Sequence, residues 1–341
     1  MVVSTCSNAI NEAKVEQMDP VAAYADYVYK TMFNGHQYQW MPKGDWRDIV
    51  TLTRAKMKDY YNQYYHPSNG QAFCYGPQDF VDECMNLMDP YLSKYNANDH
   101  IRKASEVQWV TLTEIKSIED SVPYPSYQDT TDFRLGLSYV LNDQTMDERT
   151  KMAWYIIEDL LLGSPAAVIP QTITDLNLGD DVIGGLQSHL QQWVLTLGVS
   201  GVPSSDQVGV ARIRLQQKII DAATNGFDPT AVKATLNKLY VRFREQSSYG
   251  IPRGVSMFKD ALTTWNYDDD PRIPLSYANP FAEVKKELET NGQGLLLQLI
   301  TLSMVDNNHL LTAELYPSTS LLTLYKNVSE IDIISGSETS L

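Results

Sequence analysis

Histidine and cysteine are scarce in this chain, with five and three residues among 341. His36, His66, His100, His189 and His309 include no two residues four apart, so neither H-E-x-x-H nor its inverse H-x-x-E-H occurs. A catalytic zinc needs three protein ligands, an open water position and a carboxylate to take the water's proton. Isolated histidines in this pattern read as structural residues instead. Cys6, Cys74 and Cys84 form no C-x-x-C pair, and their odd number and wide spacing suit buried thiols in a reducing compartment. The lack of G-x-S-x-G removes the usual serine-hydrolase elbow, and without G-x-G-x-x-G or a P-loop a nucleotide site has no support. No apolar run reaches the roughly 18 residues needed to cross a bilayer, so no membrane span is expected. The opening residues "MVVSTCSNAINEAKVEQ" show neither the basic and apolar regions of a secretory signal nor an Arg-rich transit composition. Basic residues are outnumbered 27 to 42, giving a net charge of −15 that a duplex or anionic membrane repels. The densest basic cluster, Arg242, Arg244 and Arg253, is interrupted, so no nucleic-acid partner is expected.

What is present is enough apolar sequence for real cores, at 43% hydrophobic residues, and a length that suggests two domains. The stretch "YYHPSNGQAFCYG" (Tyr64 to Gly76) poses the first question, because a histidine, a cysteine and glycines stand close together. Apolar and aromatic positions from Asp48 to Tyr65 recur at three and four, which predicts a helix. His66 precedes Pro67, where the helical region is disfavoured, so the helix stops there and His66 is a turn residue. "QAFCY" reads as a short buried strand with Cys74 as a core thiol, and Asp79 as the cap of a helix running to about Tyr95.

Residues 96–130 lack periodicity and mark a boundary, dividing the chain into 1–128 and 129–341. Beyond it, "DFRLGLSYVL" alternates strictly and is the clearest strand. A helix follows and stops at Gly163; Ser164 and Pro165 are placed to start another. "WVLTLGVSGV" predicts a strand, and Val208, Ala211, Leu215, Ile219 and Ala222 a long amphipathic helix ending at Asn225-Gly226. Helices are expected from Asp228 to about Gln246, over 253–265, 280–291 and 294–304, before a late strand "LLTAELY". The acidic groups Asp180–Asp181 and Asp268–Asp270 stand in turn-rich sequence and read as solvated caps. Strands separated by pairs of helices favour an α+β sandwich over a doubly wound fold. From the residues alone, no complete active site emerges.

Five stretches taken in order, "SNAINEAK", "YYHPSNGQAFCYG", "DLLLGSPAA", "FREQSSYGIPRGVSMF" and "NNHLLTAELYPS", resemble the presequence proteases, zinc peptidases of the pitrilysin clan (M16). The similarity runs from about Asn11 to Leu321 and is weakest between Tyr95 and Asp132. The resemblance implies pitrilysin-like or processing-peptidase-like α+β domains, with an antiparallel-rich sheet layered by paired helices. Residues 1–128 would be the end of a first peptidase-like domain plus a linker, and 129–341 a second, associated domain. It also implies zinc, unfolded peptides as substrates, and a setting in the mitochondrial matrix or plastid.

The family's third metal ligand is a glutamate in an "N-E-M-K-G" segment, and "NEAK" puts Glu12 at that position, with Ala13 and Val15 in place of the family's methionine and glycine. Glu16, four residues on, would orient the site from behind if the segment is helical. The histidines and the base glutamate are expected upstream of this sequence, so a further chain or segment carrying H-x-x-E-H is implied. Two functions tied to proteolysis stay open, beside a generic structural domain with no link to it. One is a partial or split zinc metallopeptidase that degrades short peptides when its missing parts are supplied. The other is a non-catalytic peptide-binding or assembly subunit of a peptidase-like complex.

Overall fold

A computed structural model describes residues 2–40, 44–49, 51–96, 109–110, 117–127, 132–245 and 250–327. Its centre is a mixed five-stranded sheet, ordered β1-β5-β2-β4-β3, of β1 (Ile118–Pro125), β2 (Phe133–Val140), β3 (Asp181–Gln187), β4 (Val194–Val202) and β5 (Leu310–Ser318). β2 runs antiparallel to β4 and to β5, β3 antiparallel to β4, and only β1–β5 is parallel. The architecture is the α+β layering expected from the sequence.

Strand alternation decides which helices lie where, because successive side chains point to opposite faces. Leu135, Leu137 and Tyr139 of β2 join Leu195, Leu197 and Val199 of β4 in the larger core. That face is covered by α6 (Glu148–Leu162), α7 (Val168–Leu176), α8 (Ser205–Asn225), α9 (Pro229–Glu245), α11 (Ala278–Thr290) and α12 (Gly294–Ile300). Each fully buried leucine there contributes roughly 1.5–3 kcal/mol. Val140, Val194, Leu311, Ala313 and Leu315 point the other way, into a second core with Tyr24, Val28, Tyr29, Met32 and Phe33 of the N-terminal region.

That second layer is α2 (Pro20–Met32), started by Asp19, whose carboxylate accepts the Val21 N–H at 2.7 Å, with Pro20 at the first helical position. It docks through a slot in the sheet. A Cβ on Gly136 would lie 2.1 Å from the Tyr24 hydroxyl oxygen, so only glycine leaves room for that ring. The hydroxyl is 2.8 Å from Ser138 Oγ, which is in turn 2.7 Å from Thr196 Oγ1, a buried chain across β2 and β4. The sheet therefore starts before residue 129: β1 and α2, on the N-terminal side of the expected division, pack with the strands that follow it.

Several local readings need correction. The helix expected over 48–65 is two, α3 (Trp46–Ile49) and α4 (Arg54–Tyr64), because Thr53 Oγ1 accepts the Lys56 N–H at 3.2 Å and caps a new start. Residues 71–75 form no strand, and Cys74 is half-buried, not a core thiol. In α5 (Gln78–Leu92) Asp79 lies in the first turn, with Pro77 at the cap. Residues 164–167 form a turn, so α7 begins at Val168 with Ala167 as its cap. By contrast, α8 stops before Gly226, which has φ +75°, and α10 (Arg253–Trp265) has the expected bounds. The last elements among the described residues are β5 and α13 (Thr319–Asn327).

Candidate functional site

Glu12 and Glu16 lie one turn apart on α1 (Val2–Met18), so the helical condition for their pairing on one face is met. Ile10, Ala13 and Lys14 are the buried positions of this turn, and Glu12 is on the outer side, exposed. Glu16 is half-buried. Among the described residues no three His, Cys, Asp or Glu side chains stand close enough to hold a metal ion. The residues present thus do not fit a resident zinc by themselves.

The histidines are dispersed, and His100 lies outside the described residues. His66 caps a single 3-10 turn (Pro67–Asn69), its Nδ1 accepting the Ser68 N–H at 3.1 Å. This is the turn role expected of it. His309 is fully buried, and neither of its ring nitrogens has a hydrogen-bond partner. Burial pushes its pKa down to about 4, with the Met32 carbonyl nearby opposing part of that shift. Sequence gave no hint of this, because "NNHLL" looks like any strand entry. Of the acidic groups, Asp270 accepts the Arg272 N–H at 2.9 Å and pairs with its guanidinium, and Asp181 opens β3.

A second group was invisible in the sequence because four elements bring it together. Glu158 of α6 accepts the Leu186 N–H of the edge strand β3 at 3.1 Å. Burial raises the pKa of Glu158, with that N–H and Arg242 of α9 opposing. Asp260 of α10 is likewise raised by burial and lowered by Arg242. Beside it, Asp159 takes Lys238 Nζ at 2.5 Å and the Thr235 hydroxyl at 2.9 Å. Perturbed carboxylates cluster at active sites, but here the Arg242 charge opposes the shifts of Glu158 and Asp260, and Lys238 pairs with Asp159. Glu158 ties α6 to β3, and Asp159 ties α6 to α9.

The most unusual surface is that of α4 and α5, in which no residue is buried. Tyr61, Met85, Leu87 and Tyr91 are between 56% and 71% exposed, and Met57, Tyr60, Tyr65, Phe80, Leu92 and Tyr95 are exposed as well. Monomeric proteins rarely leave an apolar patch of this kind uncovered.

Residues 51–239 match the model of the family described as the peptidase M16 inactive domain. This chain belongs to that family. The match takes in α4 and α5 and runs to Leu239, near the end of α9. Among relatives, the M16 chain is 28% identical over 298 residues to "Presequence protease 1, chloroplastic/mitochondrial" of Arabidopsis thaliana, covering 85% of this chain and 27% of that protein. It is 24% identical to "Protein HypA" of Clostridium perfringens (90% and 31% covered) and 23% identical to "Presequence protease, mitochondrial" of Danio rerio (92% and 30%). The chain thus spans less than a third of the length of these relatives. Its fold is that of a putative M16-like peptidase from Alicyclobacillus acidocaldarius, with TM-score 0.64 at 16% identity over 92% of this chain and 70% of the other. A protease from Helicobacter pylori superposes with TM-score 0.68 at 12% identity, over 92% and 71%.

Proposed function

We propose that this chain is a partial or split presequence-protease-like zinc peptidase, inactive by itself, and that it takes part in degrading short unfolded peptides only together with a segment or chain that carries H-x-x-E-H. The observation that carries this reading is the uncovered apolar layer of α4 and α5 inside the span matched to the M16 inactive domain. Such a layer needs a covering partner.

On this reading α4 and α5 complete the first peptidase-like domain, while α2 and β1 stay with the second. Glu12, exposed on α1, is the carboxylate offered to a zinc whose histidines come from the partner, and Glu16 positions it. An unfolded peptide can add as a further strand along β3, which pairs on one side only among the described residues. The setting, mitochondrion or plastid, follows the names of the plant and animal relatives.

One observation favours the second reading, an assembly or peptide-binding subunit with no part in cleavage. Ala13, buried at 2% exposure, and Val15 replace the methionine and glycine that flank the family's ligand glutamate. Metal analysis and a partner experiment together test the proposal. The isolated chain, dialysed without chelator, is expected to hold no stoichiometric zinc and cleave no peptide, and to gain cleavage when mixed with an H-x-x-E-H polypeptide. One tightly held zinc per isolated chain would overturn it.

A further inference from the structure

In an asparagine–glycine pair the glycine nitrogen can attack the preceding side-chain amide, because no Cβ shields that nitrogen or restricts its approach. Four such pairs occur: Asn34-Gly35, Asn69-Gly70, Asn225-Gly226 and Asn291-Gly292. The fold distinguishes them by the state of the attacking N–H. Gly70 donates to the Pro67 carbonyl at 3.0 Å, and Gly226 donates to the Ala222 carbonyl at 3.0 Å as it ends α8. The Asn69 amide is held as well, donating to the Tyr64 carbonyl at 3.1 Å. Gly35 donates to Gln39 Oε1 at 3.4 Å. The Gly292 N–H alone of the four has no acceptor among the described residues. Asn291 and Gly292 are both exposed, and a Cβ on Gly292 or on Gly294 would meet nothing within 4 Å, so the backbone has room to turn onto the side chain. Asn291 also lines an open hollow with Arg149, Lys286 and Thr290, which admits water to its amide.

We propose that Asn291 is a self-modification site, at which the Gly292 nitrogen displaces ammonia from the Asn291 amide and loosens the turn between α11 and α12. The Gly292 N–H gives its proton to hydroxide, and the nitrogen forms a bond to Asn291 Cγ. The Cγ–Nδ2 bond then breaks, and ammonia leaves with a proton from water, so hydroxide is returned and a five-membered succinimide remains. Water opens that ring. Addition at Cγ gives aspartate, and addition at the Asn291 backbone carbonyl gives isoaspartate, in which the chain runs through the side chain. The sum is one amide and one water converted to a carboxylate and ammonium, with nothing oxidised or reduced. Asn291 is the C-cap of α11, its own N–H donating to the Glu287 carbonyl at 2.7 Å, and the last turn carries no basic residue. A new carboxylate there opposes the negative end of the helix. Two residues on, Gln293 donates Nε2 to the Phe227 carbonyl at 2.7 Å and accepts the Phe227 N–H at 2.8 Å, tying this turn to the one between α8 and α9. An isoaspartate adds a methylene to the chain just before this clamp and shifts Gln293 away from Phe227.

The full chain, aged in mildly alkaline buffer and digested at acid pH, tests this by peptide mass spectrometry with fragmentation that separates aspartate from isoaspartate. Asn291 is expected to convert several-fold faster than Asn34, Asn69 and Asn225, at a rate that rises with pH. The same chain unfolded in guanidinium chloride is the control, and there the four sites should approach a common rate. Protease cutting at residues 291–293 should rise several-fold in the aged folded chain, and should not rise in Asn291→Gln, whose longer side chain cannot close the five-membered ring. Conversion of Asn291 no faster than that of the other three in the folded chain, or the same preference for Asn291 in the unfolded chain, would overturn the assignment of the site. Unchanged cutting after conversion, or an equal rise in Asn291→Gln, would overturn the loosening of the turn.

Discussion

Lowering the pH from 7 to 4 should destabilise this protein in part through His309. The ring is 0% exposed and has no hydrogen-bond partner, so it is neutral in the folded chain until the pH approaches 4. In the unfolded chain the same ring takes its proton near the ordinary value of 6.5. Between those values the unfolded state binds more protons, so the contribution of the neutral ring to stability is intact above 6.5, falls as pH falls, and is lost below 4. The gap corresponds to about 3 kcal/mol at most, from 1.36 kcal/mol per pKa unit. His309→Leu removes the titrating group and two unpartnered buried nitrogens while keeping the site apolar. Urea unfolding of both proteins at pH 7.5 and at about pH 4.5 gives the difference that matters. The variant should lose markedly less stability than the parent across that range. Asp45, held near 2 mainly by hydrogen bonds from Arg47, belongs to the background common to both. Equal acid losses in the two proteins would refute the argument.

Other substitutions probe the sheet and its layers. Gly136→Ala should drive Tyr24 from its slot and cost about 1–3 kcal/mol, whereas Tyr24→Phe, which removes only the hydroxyl to Ser138, should cost about 1 kcal/mol; denaturant midpoints measure both. Asp159→Ala frees Lys238 and the Thr235 hydroxyl at the α6–α9 contact and should cost about 1–2 kcal/mol in thermal unfolding, discounted because Lys238 is half exposed. Leu87→Ser and Tyr61→Ser on the uncovered layer should change stability by less than about 0.5 kcal/mol yet reduce self-association and partner binding, as read by ultracentrifugation.

Elements with strong periodicity were legible in the sequence. β2 was legible because its large residues Leu135, Leu137 and Tyr139 all face the larger core while Gly136 and Ser138 face Tyr24 of α2, and α8 and α10 end at the residues their patterns imply. β1 was hidden by Pro123 and Pro125, tolerated because it is an edge strand. β3 was hidden by Gly184 and Gly185 at φ +122° and +141°, where a Cβ on Gly184 would meet the Thr196 carbonyl oxygen at 2.2 Å. The strand expected at 71–75 failed for lack of a neighbour to pair with, something no local pattern records. For the site, the turn role of His66 could be read from the following proline. The group of Glu158, Arg242 and Asp260 could not, because it joins residues far apart in the chain. The exposure of α4 and α5 was equally hidden, since an apolar helical stripe looks the same whether covered or bare.

The most direct measurement is peptide cleavage by the chain mixed with a polypeptide bearing H-x-x-E-H, using the parent and Glu12→Ala. Glu12 is exposed, so its loss should leave the fold and the mixing unchanged while removing one ligand of the shared metal. The expected result is no cleavage by either component alone, cleavage by the parent mixture, and loss of most of that activity and its zinc in the Glu12→Ala mixture. Full activity of the Glu12→Ala mixture, or cleavage by the isolated chain, would contradict the reading of this protein as a part of a zinc peptidase that is inactive alone and supplies the metal's third ligand.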